Sequence, residues 1–384
     1  MTGVQMQYSG IGILSIPYAL SEGGWISLTA LFGMAIICFY TGLLLKRCMD
    51  ADPLIRTYPD IGARAFGHKG RAVISTFLYL ELFLLAVEFL ILEGDCLHKL
   101  FPDSHILGRR FGGERAFILL TAFVILPTTW LRNLSLLAYV SLGGILASII
   151  LTAAVFWIGA FEGVGFHEKG VLWRFNGFPI AISMYTFCYC GHTVFPTLCA
   201  SMTNKNHFPK VLLVCFILST ISYGSMAAQG YLMYGENLMS QVTLNLPTQN
   251  ISSKIAIYTT IVNPITKYAI MVSPIATAIE ETLVHHNCGP FRLIVRTILV
   301  TCTVIVALFF PFFGYVMAFI GAFLGVACSV LFPCICYLKI NKESRRFGLE
   351  LAFILVILVL GVFIGVTGTF TSLRDIVKHA HTNE

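Results

Sequence analysis

Long apolar runs of about 20 residues recur along the chain, separated by short polar stretches. At 1.5 Å per residue, a helix of that length crosses the roughly 30 Å of hydrocarbon in a bilayer. The pattern predicts eleven transmembrane helices, and the loops between them leave no room for a sizeable soluble domain. In chain order, segments 1 to 11 are 2–20, 26–45, 73–92, 116–130, 134–160, 178–201, 211–234, 255–283, 293–310, 314–340 and 349–370.

The composition agrees with this pattern. The chain has 384 residues, of which 57% are hydrophobic and only 11% charged, and its mean hydropathy is +0.82. So few polar residues cannot cover the surface of a soluble globule of this size. The apolar stretch at the start lacks a charged leader, so we expect no cleavable signal peptide. We therefore expect an all-α integral membrane protein embedded in a lipid bilayer.

The net charge is +6, but its distribution is more informative. Lys and Arg are more numerous in the loops after segments 2, 4, 6, 8 and 10 than on the opposite side, which predicts a cytosolic N-terminus. On this topology the sequon at Asn250 faces the lumen or exterior and is a glycosylation candidate, whereas Asn133 falls in a cytosolic turn. A nucleic-acid partner is not expected.

The chain contains 12 cysteines, most of them inside apolar runs. Cys188 and Cys190 are two residues apart, as are Cys334 and Cys336, and neither pair belongs to a zinc-binding pattern. We interpret them as packing residues and expect neither a metal nor another cofactor.

Two apolar segments are interrupted by glycine and proline, one at 9–17 and the other at 187–196. Glycine and proline weaken the helical hydrogen bonding, so backbone N–H and C=O groups become available to a solute such as an amino acid. Paired breaks of this kind indicate a transport site near the middle of the bilayer. The alternative is that they are ordinary packing glycines and proline kinks.

Segment 3 carries Glu81 and Glu88, which are seven residues apart and so lie on one helix face. A carboxylate facing lipid is costly, so this face should point into the bundle. Either residue is a candidate for taking up and releasing a coupling proton, with Glu88 favoured. The alternative role is structural, either pairing with Lys267 or capping a broken helix.

Lys267 lies within segment 8 and needs a partner or an aqueous cavity at that depth. It is a candidate gate residue or a substitute for a bound cation, although Pro264 nearby leaves snorkelling to the interface open. His192, beside the second break, is a candidate site residue that titrates near neutral pH. The alternative for His192 is a purely structural hydrogen bond.

Several longer motifs together resemble the amino acid/auxin permease family, particularly its plant and fungal vacuolar amino acid transporter branch. They are GIGILSIPYAL at 10–20 followed by EGGW, TYPDIGARAFGHKGR at 57–71, LPTTWLRNLSLLAYVS at 126–141 and FCYCGHTVFP at 187–196. The resemblance extends over nearly the whole chain, with the motifs in the family's order.

The resemblance implies a LeuT-like fold, in which two inverted five-helix repeats (about 1–161 and 177–340) precede an extra helix (about 349–371). It also implies proton-coupled transport of mainly neutral amino acids by alternating access around broken segments 1 and 6. The location it implies is the vacuolar membrane, with the plasma membrane or another endomembrane as the alternatives. The residues carried over for the substrate carboxylate are Gly10, Ile11, Gly12 and Ser15. Those carried over for the amino end and side chain are Cys188, Tyr189, Gly191 and His192.

The chain departs from that branch at its start, where only residues 1–8 precede the first break. Eight residues span about 12 Å as a helix, short of half a membrane. A chain of this form is expected to gate poorly, so the alternative function is an amino acid sensor without efficient turnover. An enzyme is not expected, because the sequence has no HExxH motif, nucleophile elbow or phosphate loop. The preferred amino acid, the direction of transport and the oligomeric state do not follow from the sequence.

Overall fold

The computed structural model describes residues 11–102, 113–130, 137–283, 289–345 and 348–382, and all regular structure within these ranges is helical. The helices are α1 Gly12–Gly23, α2 Ser27–Asp50, α3 Tyr58–Leu100, α4 Gly113–Trp130, α5 Leu137–Phe161, α6 Phe178–Tyr189, α7 Phe195–Ser201, α8 Phe208–Tyr234, α9 Val242–Asn245, α10 Ile251–Leu283, α11 Gly289–Phe309, α12 Phe313–Ile340 and α13 Leu349–Thr382.

Seven helical stretches in the described ranges are long and apolar enough to cross a membrane: α2, α3, α8, α10, α11, α12 and α13. This confirms an all-helical, multi-pass membrane protein. The remaining predicted segments 1, 4, 5 and 6 also have helical counterparts, which are shorter, interrupted or only partly within the described ranges. The count of eleven spans and the five-plus-five repeat therefore remain predictions.

Helix α3 is much longer than the predicted segment 73–92. It begins at a capping box in which Thr57 and Asp60 satisfy each other's backbone N–H groups. Its backbone leaves the helical region at Phe66 and Gly67, where Gly67 has φ of +66°. A residue without Cβ adopts this left-handed conformation at little cost, which explains the kink between an amphipathic first part and the apolar span. Hydropathy detected only the apolar part.

Helix α12 contains two π-helical stretches, Ile320–Gly325 and Ala327–Leu331, where the sequence predicted one regular helix. Glycine makes close packing possible here, because a Cβ on Gly321 would lie 2.0 Å from the carbonyl oxygen of Ser183 in α6. The wider π turns therefore lie directly against the interrupted segment 6.

Helix α1 packs on α6 and α8, whereas α3 packs along α10. At the end predicted to be lumenal, the turn between α1 and α2 is bonded to residues 169–174, which we call the strap. Trp25 N–H donates to the Val171 carbonyl at 3.1 Å, Ile26 N–H to the Leu172 carbonyl at 3.0 Å and Arg174 N–H to the Gly23 carbonyl at 3.2 Å. These bonds join the end of α1 to the chain that enters α6.

Candidate functional site at the helix breaks

The second break separates α6 from α7. Helix α6 ends at Tyr189, and Cys190 follows in an extended conformation with φ of −70° and ψ of 117°. The chain resumes its helix at Phe195, with Pro196 in the first turn of α7, where a missing N–H costs nothing. The backbone is thus non-helical from Cys190 to Val194, within the interval where glycine and proline predicted a break.

Of the first predicted break, the structure describes only the residues from Ile11 onward. Helix α1 begins at Gly12 and contains Pro17, and Ile11 before it is buried. Ser9 and Gly10 lie outside the described residues. Ser15, in the first turn of α1, is 0% exposed, and its hydroxyl has no hydrogen-bond partner. A buried unpaired hydroxyl is costly and is suited to receive a polar ligand.

The start of α1, within the first predicted break, lies against the end of α6. A Cβ built on Gly12 would lie 2.9 Å from Sγ of Cys188 and 3.5 Å from its Cα. Only a residue without a side chain allows the start of α1 to approach the end of α6 so closely. The structure therefore brings Gly12 and Cys188 together, although they are far apart in the sequence.

The residues after Cys188 are turned toward neighbouring helices. The Tyr189 hydroxyl donates to Thr220 Oγ1 in α8 at 2.9 Å, and the Tyr223 hydroxyl donates to the Cys188 carbonyl at 3.3 Å. Gly191 is buried, and its carbonyl accepts from Val194 N–H at 3.2 Å. The side chain of Tyr189 thus joins the end of α6 to α8.

His192 is fixed on one side and unpaired on the other. Its Nε2 donates to the Cys38 carbonyl of α2 at 2.9 Å and lies 3.0 Å from Thr41 Oγ1. Its Nδ1 is buried without a hydrogen-bond partner. The structural role considered for His192 is therefore present, and Nδ1 remains as an acceptor within the break.

Glu81 lies directly at the second break. The Cys190 thiol donates to Glu81 Oε1 at 3.0 Å, and Cys190 Sγ is also 3.0 Å from Ser329 Oγ in a π-helical stretch of α12. The neighbouring Cys328 carbonyl accepts from the Tyr58 hydroxyl at 2.6 Å, where Tyr58 begins the amphipathic part of α3. This chain of contacts connects the break to α3 and α12.

Glu88 and Lys267 are in different surroundings. Glu88 is 0% exposed and Lys267 2% exposed, and neither the carboxylate oxygens nor Nζ has a hydrogen-bond partner. No ion pair joins Lys267 to Glu81 or Glu88 in the structure as described. The pairing considered from the sequence is therefore not formed.

Sequence reasoning missed a polar group near the other end of α3. Glu93 is 0% exposed and both its oxygens lack a hydrogen-bond partner. Gln241, just before α9, donates from Nε2 to Asp95 Oδ2 at 2.7 Å and accepts from the Cys96 thiol at 3.6 Å. The signal was available: Asp95 lies seven residues after Glu88, and so continues the face of Glu81 and Glu88.

Asn250 of the sequon is half-buried, and its Nδ2 donates to Glu162 Oε2 at 2.6 Å. The hydroxyl of Ser252 in the same sequon also contacts Glu162. Asn133 lies outside the described residues. Both polar residues of the sequon are thus hydrogen-bonded to Glu162, directly after the end of α5.

Comparison with known proteins identifies a matching family and several similar proteins. The family model described as "Transmembrane amino acid transporter protein" matches residues 6–373. Amino acid transporter AVT1I of Arabidopsis thaliana is 50% identical over 96% of this chain and 92% of its own length. AVT1J of the same plant is 50% identical over 96% and 88%, and AVT1B is 43% identical over 97% and 70%.

Proposed function

The chain belongs to the transmembrane amino acid transporter family, and from that premise we propose that it is a proton-coupled secondary transporter of mainly neutral amino acids. The family consists of membrane transport proteins rather than enzymes, which agrees with the sequence-based expectation. Amino acid transport across a membrane is the function that its relatives carry in their names.

The observation that best supports this proposal is the contact between the two breaks at Gly12 and Cys188. The first turn of α1 presents backbone N–H groups and the last turn of α6 presents carbonyl groups. The positive end of one helix dipole and the negative end of another suit the carboxylate and the ammonium of an amino acid. A zwitterion therefore matches the ends of both helices at once.

We assign the substrate carboxylate to the backbone of Gly10, Ile11 and Gly12 with the Ser15 hydroxyl. The stretch from Cys188 to His192, including Tyr189 and Gly191, would line the amino end and the side chain. The unpartnered Ser15 hydroxyl supports the first assignment. The unpartnered Nδ1 of His192 supports the second, since it is an acceptor suited to an ammonium or a polar side chain.

For coupling, we propose Glu88 as the proton-carrying carboxylate. It is buried and lacks a hydrogen-bond partner, so a neutral, protonated form fits its surroundings better than a charged one. Glu81 touches the break through Cys190 and is proposed as a gate residue. Lys267 is proposed as a gate residue, or as a cation that stands where a sodium-coupled carrier would hold its ion.

We propose the vacuolar membrane as the location and alternating access around the two breaks as the mechanism. The identity with plant AVT1 proteins supports the assignment to that branch. A vacuolar lumen is acidic, so a proton gradient would be available across that membrane. Asn250 would face that lumen as a glycosylation candidate.

The test is uptake into proteoliposomes that contain the purified full chain and carry an imposed pH gradient. We expect uptake of neutral amino acids to rise when the gradient is applied and to vanish when an ionophore dissipates it. If the protein binds the same amino acids but shows no gradient-dependent uptake, the assignment as a carrier is wrong and the protein is an amino acid sensor. A competition panel of the common amino acids identifies the preferred substrate in the same assay.

A further inference from the structure

A group of basic side chains gathers where the kink of α3 meets the end of α12. Lys69 follows the kink at Gly67, and Lys339 lies in the last turn of α12, with Nζ 5.7 Å from the centre of the Phe66 ring. Lys342 and Arg345 lie in the 3₁₀ turn Lys342–Arg345 that follows. We call Lys69, Lys339, Lys342 and Arg345 the basic cluster.

The side chain of Arg345 folds back onto the last turn of α12. Arg345 Nε donates to the Leu338 carbonyl at 2.6 Å, and its Nη2 donates to the Lys339 carbonyl at 3.3 Å. The Arg345 guanidinium therefore lies against the backbone of Leu338 and Lys339. Two backbone carbonyls thus determine the position of the Arg345 side chain.

The cluster has no counter-charge within the protein. Nearby cations on the same side are paired, since Arg64 lies 3.0 Å from Asp52 and Arg71 lies 3.3 Å from Asp60. In the described ranges, no carboxylate lies within ion-pair distance of any of the four side chains of the basic cluster. Glu343 lies in the same turn but pairs with none of them, so the mutual repulsion of the cations would be relieved by an external anion.

Exposed apolar side chains lie at the same end of the molecule. Leu54 is 84% exposed, Phe66 47% and Leu349 92%. Phe66 is directly under Lys339, and Leu349 begins α13 shortly after the turn. A site that combines free cations with exposed apolar groups beside membrane-spanning helices suits an occupant with an anionic head and apolar chains.

We propose that the basic cluster binds the phosphate headgroup of an anionic phospholipid in the leaflet that the charge bias assigns to the cytosol. Lys339 and Arg345 hold the phosphate, while Lys69 and Lys342 flank it. The acyl chains cover Phe66 and Leu349. This site is separate from the helix breaks, so its existence does not depend on the proposed transport function.

The test uses the purified full chain in a nonionic detergent, titrated with short-chain phosphatidylserine while Tm is followed. We expect a saturable rise in Tm whose midpoint gives an apparent affinity, and no such rise with short-chain phosphatidylcholine. An equal response to both lipids would overturn the proposal. If soluble glycerophosphoserine raised Tm as much as the lipid does, the ligand would be a free phosphate ester rather than a lipid, and this result would also overturn the proposal.

Variants locate the site. Each cation near a membrane surface contributes a factor of about five to the binding of anionic lipid, so Lys339→Gln with Lys342→Gln should raise the midpoint about 25-fold. The matched control is Lys169→Gln with Lys254→Gln, which removes two exposed lysines from the predicted lumenal side and should leave the midpoint unchanged. Equal midpoints in both double variants would refute the assignment.

A variant that binds the lipid more tightly shows that changes in the midpoint do not result from misfolding. Glu343→Gln removes the carboxylate from the turn without touching the basic cluster, so the midpoint should fall, by up to about fivefold. Because a misfolded protein would not gain affinity, this result would support the site directly. A midpoint that is unchanged or higher in Glu343→Gln would count against it.

Discussion

Glu81 and Glu88 occupy the same face of α3, one heptad apart and equally buried, yet their surroundings differ. Glu81 contacts Cys190 at the helix break and, through it, Ser329 of α12. Glu88 has no hydrogen-bond partner on either oxygen. A buried carboxylate with a fixed donor is suited to hold a structure together, whereas one without a donor is suited to change its protonation state. Their spacing in the sequence gives the two residues the same expected role, and only the side chains that surround each of them in the fold distinguish one from the other.

The largest expected effect is that of Glu88→Gln on gradient-driven uptake. If Glu88 carries the proton, an amide that cannot ionise should lower driven uptake at least about tenfold and leave substrate binding within about twofold. The measurement is uptake and binding in proteoliposomes from pH 5 to 8. Glu81→Gln is the comparison on the same face: because Glu81 is proposed as a gate residue, this variant should keep the pH dependence of whatever uptake remains, and loss of pH dependence in both variants would abolish the distinction between them.

The second prediction concerns the contact between the breaks. Gly12→Ala places a Cβ 2.9 Å from Cys188 Sγ, and overpacking there should weaken substrate affinity about five- to tenfold. Adding Cys188→Ala removes the sulfur and should restore part of the loss, which a double-mutant cycle would measure. Gly33→Ala is the control, because a Cβ there meets nothing within 4 Å. Additive effects of the two substitutions would show that the breaks do not interact.

The third prediction extends the comparison to Asp95, one heptad beyond Glu88. Gln241→Ala removes the amide that donates to Asp95 at 2.7 Å, and we expect a loss of about 1 kcal/mol of stability, seen as a lower Tm. Gln229→Ala serves as a control, since it makes the same truncation at a half-buried glutamine whose Oε1 has no hydrogen-bond partner, whereas Gln241 is 0% exposed. If both variants lose the same stability, the Gln241 contact contributes nothing specific.

The smallest effect is expected at Cys190. Cys190→Ala removes a weak thiol donor from Glu81 and should lower stability by about 0.5–1 kcal/mol. Cys190→Ser keeps a donor at the same position and should retain the wild-type Tm more closely. A serine variant less stable than the alanine variant would show that packing, rather than the hydrogen bond, is what Cys190 supplies.

Much of the architecture could be predicted from the sequence, because hydropathy and the placement of glycine and proline are local signals. They identified the seven helical stretches in the described ranges that are long and apolar enough to cross a membrane, and the interruption between Tyr189 and Phe195. The full length of α3 was missed, because Glu93 and Asp95 end the apolar run without ending the helix. The π-helical stretches of α12 were also missed, since one extra residue in a turn leaves hydropathy unchanged.

The surroundings of the candidate residues were less accessible to prediction. Glu81 accepts a hydrogen bond from Cys190, which in turn contacts Ser329, and both of these residues lie in other segments far along the chain. A single sequence contains no signal for such pairings, because they depend on how the helices pack. For the same reason the sequence left Lys267 as a possible partner of the glutamates, although no ion pair joins them.

The strap at residues 169–174 has a mechanical consequence. Its backbone bonds pin the end of α1 at Gly23 and Trp25, only a few residues before the chain enters α6 at Phe178. A rod fixed at one end moves as a lever, with its greatest displacement at the other end. Helices α1 and α6 are thus joined at this end, and a rigid rotation about it would displace Gly12 and Cys188 the furthest.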